Sequence, residues 1–378
     1  VPLSLMNFLN LASQKGILIK DGRSLDLLSR IDTLVFDKTG TLTQEQPKVG
    51  PVHVCAGTEE DQLLRYAAAA EVKQTHPIAN AILEEARKRR LSIPHMDATE
   101  YKVGYGISVK IEDRLVQVGS SRYMEVSGLT IPPALQRIQE DCHAQGHSLV
   151  MVAVDQAVGG AIELLPTVRP EAEGIIGDLR RRGNIKATYV ISGDHEAPTK
   201  KLAEALGIDH YFAETLPEQK AAIIQQLTDE GRSVCYVGDG INDAIALKKS
   251  HVSVSLRGAS TVAVDTAQII MMNGDLSGLV SIFDFAQDFR SNTNITFALV
   301  LVPSIIGIGG AFFLGYGMLH TTFLNLAGLL AGLSNSLVPL MKYRRSIEPW
   351  PGKTSSTQKT IENWHNNTIS GQRIMKAT

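Results

Sequence analysis

The sequence predicts an α/β protein built on a split, doubly wound parallel sheet, with an inserted α+β domain and a C-terminal helical hairpin. Three observations carry this. First, apolar, β-branched strands at 31–36, 188–191 and 233–237 each run into an acidic loop, and helical patterns at 170–182, 197–206 and 217–230 alternate with them. Alternation of this kind implies parallel strands with helices on both faces. Second, residues 44–165 change character, with helical periodicity at 60–72 and 77–90 and short alternating strands at 100–119 and 149–163. That stretch reads as a domain inserted between the first strand and the rest of its sheet. Third, residues 295–319 and 323–341 contain no Asp, Glu, Lys or Arg.

The first strand, 31–36, is a continuous apolar run after a polar link, as expected of a strand buried on both faces. Residues 1–12 read as the tail of an apolar helix, too short to span a bilayer. Each of the two uncharged segments is long enough to cross a hydrocarbon core of ~30 Å as a helix. The expected turn between them lies around His320-Thr321-Thr322. Arg290 precedes the first span and Lys342, Arg344 and Arg345 follow the second, which puts both ends on the cytoplasmic side. Two core helices of a soluble protein are the competing reading, disfavoured by length and by the lack of charge. Residues 346–378 are polar and expected to be a disordered tail, where the Asn366-Asn367-Thr368 sequon has no consequence in the cytoplasm.

A chain of 378 residues is too long for one core, so two or three domains are expected. A formal net charge of -2 gives no electrostatic case for nucleic acid. The densest basic cluster, Arg180-Arg181-Arg182, is expected to end a helix. Cys55, Cys142 and Cys235 lie far apart with no CxxC pair, which argues against a disulfide framework or a cysteine zinc site and for free, buried thiols. The chain begins with Val1 and shows no signal peptide, so it is expected to be part of something longer.

The chemistry sits in the acidic loops. Asp37 opens Asp37-Lys38-Thr39-Gly40-Thr41-Leu42-Thr43, Asp194 ends Ser192-Gly193-Asp194, and Asp239 and Asp243 bracket Gly240-Ile241-Asn242. Strand carboxyl ends of an open α/β sheet line one crevice, so these four carboxylates are expected to meet there. Carboxylates converge against their repulsion when a cation is present, and hard oxygen ligands beside phosphate imply Mg²⁺. Asp37 can then attack phosphorus and form an aspartyl phosphate. Lys220, in the first turn after Pro217, is expected to place a point charge on the transferring group. Thr39, Thr41 and Ser192 offer hydroxyls or backbone donors, and Gly40, Gly193 and Gly240 let the backbone approach closely. A strand-end aspartate alone is often only a helix cap, which is the competing reading for Asp194.

Taken together, DKTGTLT at 37–43 and GDGIND at 238–243 resemble the P-type ATPases, whose phosphorylation domain is of the haloacid dehalogenase type. The resemblance covers residues 1 to about 345. It implies that Asp37 takes the γ-phosphate of ATP, with Lys38, Thr41, Lys220 and Asp194 in the catalytic loops. It also implies that Asp37, the Thr39 carbonyl, Asp239 and Asp243 serve the Mg²⁺ site. Related phosphatases carry a second Asp two positions after the nucleophile. Here that position is Thr39, a poor base, so the aspartyl phosphate is expected to persist. Glu71, His76-Pro77 and Gly104-Tyr105-Gly106 resemble the nucleotide domain of the heavy-metal subgroup. Glu71 and His76 are thereby implied to contact adenine or orient ATP and Gly104 and Gly106 to admit nucleotide against backbone, and Ser192, Gly193 and Asn242 are counted with them as nucleotide-binding.

The implied division is 1–24 as the end of a truncated transmembrane helix and linker, 25–43 with 166–284 as the phosphorylation domain, 44–165 as the nucleotide-binding domain, 285–345 as two transmembrane helices, and the tail. The resemblance also implies an actuator domain and earlier membrane helices that are not in this sequence, so the chain is expected to form the phosphoenzyme without clearing it. Several positions depart from the pattern. The Thr-Gly-Asp loop reads Ser192-Gly193-Asp194, and Pro166 stands where an acidic residue is usual. The stretch from His251 to Gly258 lacks the expected small-residue run.

Asn292, Asn294, Ser304, Asn325, Ser334, Asn335 and Ser336 are the polar candidates in the spans, either for an ion path or for helix–helix adhesion, and they name no metal. The expected function is ATP-driven transport of a heavy-metal cation. Its expected partners are ATP, the cation and membrane lipid, with no obligate protein partner. The alternatives are a soluble-type phosphatase of the same superfamily and a non-catalytic nucleotide-binding membrane regulator.

Overall fold

A computed structural model describes residues 2–94, 96–102, 106–182, 184–238, 243–256 and 265–343, for 96–102 as backbone. Asp239, Gly240, Asn242, Gly104 and the tail at 346–378 lie outside the described residues. The chain divides into two compact units, 32–250 and the remainder.

In the first unit, β2 (Thr33–Asp37) lies between β9 (Ala187–Ile191) and β11 (Val234–Val237), parallel to both, and β10 (His210–Phe212) extends the row beyond β9. Every residue of β2, β9 and β11 is buried, which is why each reads as an unbroken apolar run rather than an alternation. Helices α7 (Ala172–Arg181), α8 (Glu196–Leu206), α9 (Pro217–Asp229) and α10 (Ala244–Lys249) separate the strands in sequence. The strand that carries Asp37 therefore does belong to the sheet formed by the later part of the chain. Arg180 and Arg181 fall in the last turn of α7, and Arg180 donates to the Gly207 carbonyl, so the arginine cluster ends a helix as expected.

The insert of this unit is a six-stranded antiparallel sheet in the order β3 (Lys48–Val54), β8 (Ala157–Leu165), β7 (Ser148–Val154), β6 (Arg114–Gly119), β5 (Gly106–Ile111), β4 (Met96–Lys102). One face packs on α3 (Glu60–Glu71) and α4 (Pro77–Lys88), burying Leu63, Ala67, Ile82 and Ala86 against Val109, Val116, Val152 and Ile162. The other face packs on α5 (Ser121–Val126) and α6 (Pro133–Ala144), where Tyr123, Met124, Leu135 and Cys142 meet Met151, Ala153 and Ala161. Strand periodicity of two puts alternate residues on opposite faces, so one strand serves both layers. The pattern at 100–119 resolves into three strands, and α5 and α6, short or weakly periodic, are not evident in the sequence.

In the second unit, α1 (Pro2–Gln14) packs on the last two helices, with Phe8 edge-on to Phe285 and Phe289. Here β13 (Ile269–Met271) pairs antiparallel with β1 (Ile17–Ile19) and parallel with β12 (Val252–Leu256), and α2 (Arg23–Leu28) contacts β12. The hairpin consists of α11 (Gly278–Phe313) and α12 (Met318–Tyr343), both long and apolar enough to cross a membrane. Only 11% of the most apolar window of α11 is buried, which fits lipid contact and not a soluble core.

The hairpin turn falls at 314–317 and not around His320-Thr321-Thr322, which lie in the first turns of α12. Gly315 is the reason: it adopts φ +69°, a conformation that ends α11 and that other residues reach only with strain. Gly328 lets the two helices close, since a Cβ there would stand 2.8 Å from the Leu299 carbonyl oxygen. Asn292, Ser304, Asn325, Asn335 and Ser336 bond within the protein. Asn292 Nδ2 donates to the Asn335 carbonyl at 2.8 Å, Asn335 Nδ2 returns a bond to the Asn292 carbonyl at 3.0 Å, and Ser304 donates to Asn325 at 2.9 Å. Ser4 and Asn7 of α1 join them through Asn292 Oδ1 and the Ser336 carbonyl.

Candidate phosphoryl-transfer and nucleotide sites

Asp37 is the last residue of β2, so its side chain emerges at the carboxyl edge of the parallel strands. The chain then turns sharply through 38–42, where Gly40 takes φ +73°. Two contacts hold the turn. Thr43 N–H donates to the Lys38 carbonyl at 3.0 Å, and the Arg169 guanidinium donates to the Gly40 carbonyl at 2.9 Å. Arg169 was not among the residues expected to serve the site; its position just before Pro170, at the re-entry from the insert, was the available signal.

A cavity of about 660 Å³ opens at this edge, lined by Asp37, Thr39, Gly193, Asp194, Lys220 and Asp243 among others. Pro217 starts α9, and Lys220 sits in its first turn with a buried side chain. Lys220 Nζ donates to Asp37 Oδ1 at 2.5 Å and to Asp243 Oδ1 at 2.8 Å. Burial alone pushes the Lys220 ammonium down, but the Asp37 and Asp243 charges and hydrogen bonds outweigh it and hold its pKa above the ordinary lysine value. Gly238 makes room for this arrangement, because a Cβ there would meet Asp243 Oδ2 at 2.8 Å.

Lys38 is buried and paired with Asp194. Asp194 therefore does more than start a helix: α8 begins after His195, without a carboxylate cap. Ser192 Oγ accepts from the Asp194 N–H at 3.0 Å and shapes that loop, while Thr215 N–H donates to the Ser192 carbonyl at 3.0 Å and joins the cavity wall. Thr41 is fully buried and not among the lining residues.

A second cavity of about 510 Å³ lies in the insert, lined by Glu71, His76, Gly106, Ile107, Ser120 and Leu149 among others. His76 caps α4: its Nδ1 accepts from the Ala79 N–H at 3.2 Å, which puts the ring proton on Nε2. Nε2 lies 3.2 Å from Glu71 Oε2. His76 is thus a close ion-pair neighbour of that buried oxygen, but no contact to it has hydrogen-bond geometry among the described residues, and burial pushes the Glu71 pKa up to about 7. A buried carboxylate oxygen at a cavity wall that makes no hydrogen bond is suited to a donor on a ligand. Gly106 lines the cavity with backbone. The space a side chain would need is filled by the Tyr123 ring and by the Val118 carbonyl oxygen, 2.6 Å from an ideal Cβ. The structure thus brings Asp37, Thr39, Gly193, Asp194, Lys220 and Asp243 around one cavity and Glu71, His76 and Gly106 around another.

Residues 31–251 match the family model of the haloacid dehalogenase-like hydrolases. The chain is 35% identical over 305 residues to the manganese-exporting P-type ATPase of Mycobacterium tuberculosis strain H37Rv, covering 79% of this chain and 42% of that protein. It is 36% identical over the same length to the zinc-exporting P-type ATPase of Mycobacterium marinum, with the same coverage. A zinc-transporting PIB-type ATPase in the E2.Pi state superposes with a TM-score of 0.74 at 29% identity, over 90% of this chain and 55% of that one. The catalytic domain of the CPx-ATPase CopB-B superposes with a TM-score of 0.56 at 28% identity, over 71% of this chain and 96% of that one.

The chain belongs to the haloacid dehalogenase-like hydrolases. Within that class it is of the heavy-metal P-type ATPase branch, and α11 and α12 are long and apolar enough to be membrane spans. It covers 42% of the length of those two mycobacterial relatives.

Proposed function

We propose that this chain carries the phosphoryl-transfer and nucleotide-binding machinery of an ATP-driven metal-cation transporter, working through an aspartyl phosphate at Asp37. The observation that supports it most is the buried Asp37 carboxylate at a strand end, held by Lys220 at 2.5 Å at a cavity whose other charged groups include Asp194 and Asp243. An Asp37 oxygen attacks the γ-phosphorus of ATP, the bond from phosphorus to the β-bridging oxygen breaks, and ADP leaves with that electron pair. Lys220 supplies positive charge where negative charge builds on the transferring group. Lys38, tied to Asp194, and Arg169, on the Gly40 carbonyl, hold the loop that aims Asp37.

Mg²⁺ fits the donor set, which is all hard oxygen: Asp37, the Thr39 carbonyl and Asp239 would hold it, with Asp243 beside them, and when bound it neutralises phosphate charge. Glu71 and His76 receive the adenine end of ATP, Gly106 leaves backbone open to the nucleotide, and Ser192 and Gly193 serve its phosphate end; Gly104 and Asn242, outside the described residues, are assigned to the nucleotide by the sequence resemblance alone. Residues 25–43 with 166–284 form the phosphorylation domain and 44–165 the nucleotide domain, both cytoplasmic. The transported species is a transition-metal cation of the kind named in the relatives, manganese, zinc or copper.

Thr39 at the position of the phosphatase acid–base argues against the phosphatase alternative. The test is acid-stable labelling of the chain by γ-labelled ATP with Mg²⁺. Label that is released by hydroxylamine supports the reading, and the absence of label with continuing phosphate release would favour the phosphatase.

A further inference from the structure

Four side chains that are scattered in the sequence converge on the α6 side of the insert's sheet. His53 lies on β3, Glu163 on β8, Cys142 near the end of α6, and His147 in the turn between α6 and β7. Glu163 and Cys142 are buried. Glu163 Oε2 is 2.9 Å from His53 Nε2, and Glu163 Oε1 is 2.6 Å from His147 Nδ1. One nitrogen of His53, Cys142 Sγ and one oxygen of Glu163 all lie within 4.8 Å of one another. None of the four lines either cavity described above.

Two histidines would suffice to satisfy a buried carboxylate, and a hydrogen-bonded structural cluster is the simpler account. The third group makes the difference. Cys142 also hydrogen-bonds to Glu163, which the two histidines already hold, and its thiol completes a mixed sulfur, nitrogen and oxygen ligand set drawn from three elements. Zinc–sulfur and zinc–nitrogen bonds of about 2.3 and 2.0 Å in a tetrahedron put neighbouring ligand atoms about 3.5 Å apart. Side-chain rotation closes the gap from the spacing seen here. The ligand set does not suit Mg²⁺ or Ca²⁺, which prefer all-oxygen cages.

We propose that His53, Cys142 and Glu163 form a binding site for a borderline divalent cation such as Zn²⁺, Co²⁺ or Cd²⁺. His147 is the positioning residue that holds the free carboxylate oxygen, and water completes the coordination. On binding, Cys142 releases its thiol proton to solvent and His53 coordinates through an unprotonated Nε2, with its proton on Nδ1. The site is independent of Asp37 and stands whether or not that residue is phosphorylated.

The test uses the full chain in detergent micelles, reduced and metal-free, titrated with Co²⁺. The sequence holds three cysteines and none lies in the spans, so a thiolate-to-cobalt charge-transfer band reports on very few positions. The site predicts such a band saturating at one equivalent, displaced by Zn²⁺. It predicts loss of the band in Cys142→Ser, at least tenfold weaker binding in His53→Gln, and about tenfold weaker binding with the band retained in His147→Gln. Cys55→Ser and Cys235→Ser retain it unchanged. Circular dichroism without added transition metal, and Asp37 labelling by ATP with Mg²⁺ as the sole added metal, distinguish a lost site from an unfolded variant, and if Cys142→Ser does not fold, His53→Gln carries the test. No band at stoichiometric Co²⁺, a band that survives Cys142→Ser, or unaltered affinity in His53→Gln overturns the proposal.

Discussion

Lys220 Nζ bridges Asp37 Oδ1 at 2.5 Å and Asp243 Oδ1 at 2.8 Å, joining residues that stand 183 and 23 positions from it in the sequence. The ammonium therefore both neutralises two buried carboxylates and stands at the reacting group. Lys220→Ala is expected to lower the rate of Asp37 phosphorylation by about 10²–10³-fold, as for loss of one preorganised charge donor. Lys220→Arg should recover only part of that, because a planar fork does not replace a compact point charge. Single-turnover labelling measures both, and an Ala variant that labels at the parent rate would count against the assigned role.

Thr39 lines the cavity beside Asp37 and offers no carboxylate. Thr39→Asp is expected to shorten the life of the phosphoenzyme by about 10²-fold or more, the usual worth of a general base. A chase with unlabelled ATP measures the decay. An unchanged decay would show that water is excluded for another reason.

Glu71 is raised by burial from 4.5 to about 7. The folded state binds this proton more tightly than the unfolded state, so its penalty is absent below pH 4.5, grows as pH rises, and is complete above pH 7. The full penalty is on the order of 3 kcal/mol. Glu71→Gln is expected to raise the unfolding temperature at pH 8 and to leave it nearly unaltered near pH 4.5. A difference between variant and parent that does not grow with pH would contradict this origin.

Asn292 and Asn335 exchange side-chain to backbone hydrogen bonds between α11 and α12. Asn335→Leu should cost about 1 kcal/mol of hairpin stability, the usual worth of such bonds between membrane helices. Thermal unfolding in detergent measures it. An unfolding temperature unaltered in Asn335→Leu would contradict the adhesive role.

Much of this was legible in the sequence, for physical reasons. Strand β2 is buried on both faces, so its apolar run and its terminal Asp37 are visible without any fold. Lys220 follows a proline at a helix start, which fixes its place within a turn. Other features depend on distance in three dimensions. Nothing local links Lys38 to Asp194, Arg169 to the Gly40 carbonyl, or Cys142 to His53 and Glu163. The Tyr123 ring fills the space beside Gly106, so that glycine has a packing reason as well as its place in the cavity wall. The misplaced hairpin turn has a simple origin: a run of apolar residues hides Gly315, while His320-Thr321-Thr322 is conspicuous only because it is polar.

The central claim is that Asp37 accepts the γ-phosphoryl group of ATP. Mass spectrometry of the chain after brief exposure to ATP and Mg²⁺ tests it most directly. One phosphoryl group on the peptide containing Asp37, removed by hydroxylamine and missing in Asp37→Asn, is the predicted result. A phosphoryl group on any other residue, or undiminished modification of the Asp37→Asn chain, would contradict it.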